Sequence, residues 1–152
     1  MIVISGTGGG VGINASPIRP RGAKINGAGG QATGSVSLFR ILNAAGDVIK
    51  GGGGRRVALM FALEHDHGDI EEFMDAKLDK KELNNANVSV VFQKDPEAFF
   101  ELVKKDAEYD IRDRGKTIRK ASAKKMWEKV IKNSLEGGEP KSEEHTSELQ
   151  SH

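Results

Sequence analysis

Apolar and polar positions fall into blocks whose period changes along the chain, and each change predicts an element. Val11–Ala15 alternates with period two and reads as a short strand. Over 35–50 the period lengthens: Leu38, Ile41, Leu42, Ala45, Val48 and Ile49 recur at helical spacing and predict one buried face. Ser35 can cap that helix, and Lys50 followed by glycine suits its end. Val57–Leu63 is an unbroken apolar run, the pattern of a strand covered on both faces in a parallel sheet. A short helix over 69–74 carries acids in its first turn, and a strand follows over 87–93.

Asp95 and Pro96 supply a cap and a first-turn proline. The helix they open has Phe99, Phe100, Leu102 and Val103 as its apolar side and is predicted to end near Tyr109. The charged stretch 110–120, with Gly115 as a turn, reads as a small excursion or a hairpin. Ser122 caps a last helix with Met126, Trp127, Val130, Ile131 and Leu135 as its stripe, stopped by Gly137, Gly138 and Pro140. Helix, loop and buried strand in succession give an α/β fold. The chain between the first strand and first helix is irregular, because Pro17 and Pro20 remove donors and restrict their neighbours. Asn26-Gly27 marks a turn there, and 28–34 reads as loop.

Composition narrows this picture. A length of 152 residues suits one domain, and 37% hydrophobic with 30% charged residues suits a soluble, cytoplasmic one. A net charge of +1 argues against a DNA partner, and no apolar run is long enough to span a membrane. With no cysteine, these residues can form no disulfide, thiolate zinc site or cysteine nucleophile. The tail 142–152 differs from the rest: it is polar, acidic and aperiodic. It resembles the translation of a short-read sequencing adapter, so it is expected to be a disordered artefact that leaves 1–141 as the domain.

Several stretches carry candidate chemistry. Ser5–Gly12 is glycine-rich but lacks the Lys-Ser/Thr ending of a P-loop, and a strand pattern follows it where a dinucleotide fingerprint needs a helix. Lys50–Arg56 places Gly51, Gly52, Gly53 and Gly54 before Arg55 and Arg56. It reads either as a flexible connector or as a deformable loop offering guanidinium forks to phosphate or carboxylate. Arg19, Arg21 and Lys24 share a loop with no acid anywhere from Met1 to Leu42, so it is a solvated basic loop or an anion site. His65 and His67 could chelate a metal from an extended segment, but no third ligand is apparent, and a polar strand end is the better reading.

Taken together, Gly8-Gly-Gly-Val-Gly-Ile-Asn14, Ile18-Arg-Pro-Arg-Gly22, Thr33-Gly-Ser-Val-Ser-Leu-Phe39 and Asp47–Arg56 resemble the large catalytic subunit of ribonucleotide reductase. His67-Gly-Asp-Ile-Glu-Glu-Phe73, Asn87-Val-Ser-Val90 and the stretch from Trp127 to Gly138-Glu-Pro140 follow in that family's order. The arginine-proline wording and the 69–73 block are closer to the adenosylcobalamin-dependent class than to the di-iron class.

The resemblance implies part of a ten-stranded α/β barrel and reduction of ribonucleotides to 2′-deoxyribonucleotides through a thiyl radical. It further implies adenosylcobalamin, a thioredoxin- or glutaredoxin-type reductant and a homodimer for the complete enzyme. The family's cysteines would lie before Gly8 and beyond Pro140, so this piece alone is expected to be truncated and inactive. What it would keep is recognition. Arg19, Asn26 and Gly27 match positions that bind a deoxynucleoside triphosphate effector, and Gly10 with Arg55 or Arg56 matches positions that serve substrate. Gly51–Gly54 would form the specificity loop between the two, although relatives usually carry glutamine at Gly51 and a larger residue at Gly54. The alternatives are a non-catalytic nucleotide-binding α/β module and an unrelated binding protein with a glycine linker.

Overall fold

The computed structural model describes residues 9–27, 29–49, 57–78, 82–92, 95–137 and 141–144. Its main sheet is wholly parallel, with β1 (Gly10–Asn14), β2 (Ala58–Glu64), β3 (Ala86–Phe92) and β6 (Lys141–Glu144) side by side in that order. Helix α1 (Ser35–Val48) precedes β2, and α2 (Ile70–Leu78) connects β2 to β3. Helix α3 (Pro96–Lys104) follows β3. An antiparallel hairpin of β4 (Glu108–Asp113) and β5 (Lys116–Ser122) comes next, and α4 (Ala123–Gly137) completes the chain before β6. The predicted α/β architecture is therefore present, and of the two readings of 110–120 the hairpin is the one observed.

The buried face of α1 differs from the predicted stripe. Val36, Phe39, Asn43 and Gly46 face inward, whereas Ile41 is 67% and Val48 82% exposed. The reason is close approach. Phe39 stacks on Phe61 of β2 with ring centres 4.4 Å apart and meets Phe73 of α2 at 5.3 Å. One turn and more further on, a β-carbon at Gly46 would lie 2.8 Å from Leu59 Cδ1, so a side chain there would have to displace the Leu59 methyl for the helix to sit this close. Asn43 is inside because its polar atoms are used: Nδ2 donates to Asn84 Oδ1, and Oδ1 accepts from the Asn85 N–H, each at 3.0 Å. A periodicity read from apolar residues alone passes over a buried Asn and Gly.

Strand β2 buries Leu59, Phe61 and Leu63 but leaves the alternate positions partly or fully exposed, so burial on both faces belongs to β3 instead. The Asp95 carboxylate accepts from the Ala98 N–H at 2.9 Å and starts α3 as expected. That helix stops at Lys104; Asp106 takes a positive φ of 51° and the chain turns into β4, where Tyr109 is a strand residue. Ser122 Oγ accepts from the Lys125 N–H at 3.2 Å at the head of α4. Met126 and Val130 of that helix are buried, while Leu135 faces out. Trp127 packs edge-on to Phe100 at 4.8 Å, which makes it a packing residue. The boundary expected at 141/142 falls inside β6, because Lys141–Glu144 run parallel to 89–92 of β3.

Phe61 sits fully buried where α1, α2 and the sheet meet. We expect Phe61→Ala to cost roughly 3–5 kcal/mol, most of a small domain's stability. Urea unfolding followed by circular dichroism reads this; a midpoint unchanged from the native chain would show that the seam is not the core.

Candidate functional site

The irregular chain after β1 is ordered by a second stretch far away in sequence. Ile18–Arg21 lies against the turn His67-Gly68-Asp69 that follows β2, and the two interlock residue by residue. His67 is buried; its Nδ1 accepts from the Asp69 N–H at 3.0 Å, so Nε2 carries the proton and donates to the Ile18 carbonyl at 2.7 Å. Gly68 faces Pro20: a β-carbon there would stand 2.6 Å from Pro20 Cβ. The Asp69 carboxylate, only 5% exposed, accepts from the Arg21 N–H at 2.8 Å through Oδ1. Its Oδ2 accepts from the Ser35 N–H at 2.8 Å and from Ser35 Oγ at 2.9 Å.

Asp69 therefore caps α1 from a distance. Ser35 was the expected cap, but the residue before the helix is Gly34, at φ 90°, with no side chain to do it. A β-carbon on Gly34 would lie 2.8 Å from Asp69 Oδ2 and 3.0 Å from the Arg21 N, so glycine is required both for the turn and for the carboxylate's approach. A charged acceptor near the positive end of α1 is favourable on electrostatic grounds as well.

From this anchored base the chain runs out into a small antiparallel hairpin. Gly22 N–H donates to the Ala32 carbonyl at 2.9 Å, Ala32 N–H to Ala23 at 2.8 Å and Ile25 N–H to Gly30 at 3.0 Å. The expected loop over 28–34 is thus, in its described part up to Ala32, the return strand of a hairpin whose tip is the predicted Asn26-Gly27 turn, with Gly27 at φ 87°. Lys24, Asn26, Gly27, Gly29, Gly30 and Gln31 line a shallow concavity at that tip. The structure brings Asn26 and Gly27 together in it but places Arg19 back at the anchored base. Arg19 is partly exposed and makes no hydrogen bond or ion pair among the described residues. Its charge lies near Asp113, whose carboxyl is held below its usual range first by the Arg114 guanidinium and then also by Arg19.

The loop without acids in sequence meets acids in space. Arg21 makes a two-pronged pair with Glu72 of α2, Nε to Oε2 at 3.0 Å and a terminal nitrogen to Oε1 at 2.7 Å. Arg40 of α1 reaches the same Glu72 Oε1 at 3.3 Å and also pairs with Glu82 at 3.0 Å. Of the expected anion-binding cations, Arg21 is thus engaged within the chain.

Gly10 opens β1 and pairs with Ala58, which follows Arg56 by two residues. Its β-carbon would be 3.4 Å from the Ala58 carbonyl oxygen, ordinary contact distance. Gly51, Gly52, Gly53, Gly54, Arg55 and Arg56 lie outside the described residues. His67 and Asp69, the residues that position the site, were read in sequence as a strand end and a first-turn acid. The signal available was slight: a His-Gly-Asp turn whose side chains had no local task.

The described residues do not fit a corrin cofactor. Both His67 nitrogens are committed, and His65 is packed among Phe92, Phe99 and Tyr109 with Nδ1 3.4 Å from the Val91 carbonyl. Among the described residues no group of three or more His, Cys, Asp or Glu could hold a metal ion.

Residues 1–143 match the family model of the ribonucleotide reductase barrel domain. The chain is 36% identical over 141 residues to a vitamin B12-dependent ribonucleoside-diphosphate reductase of Thermoplasma acidophilum, covering 91% of this chain and 18% of that protein. It is 33% identical over 136 residues to the protein of the same name in Mycobacterium tuberculosis, covering 88% and 19%. It is 26% identical over 164 residues to the ribonucleoside-diphosphate reductase large subunit of Caenorhabditis elegans, covering 91% and 21%. The chain thus spans about a fifth of the length of these relatives.

Removing the Asp69 carboxylate leaves the Arg21 and Ser35 amides without their acceptor, each at a cost of about 1–3 kcal/mol. We expect Asp69→Ala to speed hydrogen exchange at both amides together, read by NMR. Exchange that rises at one amide only would break the link between loop and helix.

Proposed function

Since the chain belongs to the ribonucleotide reductase barrel-domain family, we propose that it is a segment of a reductase large subunit whose described part holds the nucleotide that selects the substrate. The observation that carries this reading is the anchored loop. Ile18–Arg21 is gripped at three points by His67, Gly68 and Asp69, yet the Arg19 guanidinium is left without a hydrogen-bonding partner among the described residues. A fixed backbone carrying a fork of donors that makes no hydrogen bond among the described residues suits triphosphate recognition. The hairpin tip with Asn26 and Gly27 supplies backbone and amide groups for the nucleoside end. Helix α1 then runs from the anchored Ser35 toward the glycine stretch, which in this reading passes the effector's identity to Arg55 or Arg56 at the substrate.

For the whole reductase the reading extends to conversion of ribonucleotides into 2′-deoxyribonucleotides by thiyl-radical chemistry in the cytoplasm. A thioredoxin- or glutaredoxin-type protein would supply the electrons. The relatives named vitamin B12-dependent favour adenosylcobalamin as the radical source, held by residues other than those described here. A homodimer is supported by α1, which presents Ile41 and Val48, seven residues apart, to the outside. A purely nucleotide-binding role for these 152 residues is favoured by one fact: they contain no cysteine.

Two measurements test this. Arg19→Ala should weaken binding of a deoxynucleoside triphosphate to the chain roughly tenfold, as loss of a charge-assisted contact implies. Equal affinity of variant and native chain in equilibrium dialysis would remove Arg19 from the site. Ile41→Asp should lower the dimer fraction in sedimentation velocity, and an unchanged distribution would take α1 out of the interface.

A further inference from the structure

The ion pairs around Glu72 have no evident part in holding the loop. Its backbone is already fixed by the His67 and Asp69 hydrogen bonds and by Pro20 against Gly68. The Arg21 side chain itself is 53% exposed, and pairs at such positions add little to stability. Their arrangement is nonetheless ordered as a ladder: Arg21, Glu72, Arg40, Glu82, alternating in sign and running from the loop across α2 and α1. Glu72 Oε1 is shared, 2.7 Å from Arg21 and 3.3 Å from Arg40.

We infer that Glu72 is an internal counter-ion that sets how tightly the loop holds a phosphate chain, by competing with it for Arg21. This rests on the effector reading of the same loop. Arg21 is separated from Arg19 only by Pro20, so an anion on Arg19 stands beside a second fork already occupied by a carboxylate. Taking Arg21 from Glu72 leaves no orphan charge, since Glu72 keeps Arg40 and Arg40 keeps Glu82. The exchange is therefore close to balanced, and the affinity becomes adjustable through a residue that never meets the ligand. The other charges nearby are already committed: Asp69 is spent on backbone amides, Glu71 pairs with Arg119, and Asp113, which lies near Arg19, pairs with Arg114. A role in stability alone predicts that loss of Glu72 weakens binding or leaves it unaltered; competition predicts that binding tightens.

Glu72→Gln keeps the side chain's shape and removes its charge. Titration calorimetry of the 152-residue chain with dGTP and with inorganic tripolyphosphate should show affinity rising about three- to fivefold for both in Glu72→Gln, the scale of an exposed ion pair. The gain should shrink in 0.5 M salt and vanish in the double variant Glu72→Gln/Arg21→Ala. If Glu72→Gln binds no tighter while Arg19→Ala still weakens binding, the competition is overturned and the effector reading stands. A gain that survives Arg21→Ala overturns the route through Arg21. If the native chain and Glu72→Gln both fail to bind either probe, the effector reading and this inference fall together.

Discussion

Everything described around the loop depends on one buried carboxylate. Asp69 accepts two backbone N–H groups and a hydroxyl from two segments that are otherwise unconnected, the loop before the hairpin and the start of α1. Inside a protein such an acceptor is costly unless its lone pairs are used, and here two of the three donors are backbone groups that cannot rotate away. The same constraint selects the neighbours. His67 must present an unprotonated Nδ1 to the Asp69 amide, Gly68 must leave room for Pro20, and Gly34 must leave room for Asp69 itself. Changing one of these residues is felt by all, because they share the same few ångströms.

Two kinds of charge serve two purposes in this chain. The Asp69 contacts are buried, short and directed at the backbone, so they fix geometry. The Arg21–Glu72–Arg40–Glu82 ladder is partly exposed and made of flexible side chains, so it contributes little to stability and leaves the charges able to change partners. A regulatory loop needs both, a base that does not move and a field that can respond. The division also separates the two readings of the loop's cations. Arg21 is engaged with Glu72, whereas the side chains of Arg19 and Lys24 make no hydrogen bond or ion pair among the described residues.

The order of elements was legible in the sequence because each depends on a local period or a local cap. The β2 run, the Asp95-Pro96 start of α3, the Asn26-Gly27 turn and the Ser122 cap all rest on residues within a few positions of one another. The face of α1 was not legible. Its inward positions are decided by how closely Gly46 and Asn43 approach β2 and the 84–85 segment, and neither residue announces burial by its own polarity. The family membership was readable for a different reason: several motifs stand in one order, which no single glycine run could establish.

By itself the sequence determined the α/β succession, the family and the set of cations on the loop. The family rests on the resemblance of several motifs in one order, and the rest on composition and pattern along one dimension. Only the tertiary structure decided which of those cations is engaged, because the acids that oppose them arrive from about fifty positions away. Glu72 reaches Arg21, and Asp69 reaches its backbone amide, only once β2 has paired with β1 and brought the His67-Gly68-Asp69 turn onto Ile18–Arg21. A stretch that holds no acid in its first forty-two residues thereby has two of its arginines, Arg21 and Arg40, paired with carboxylates in space, since charge acts through distance and not through position along the chain.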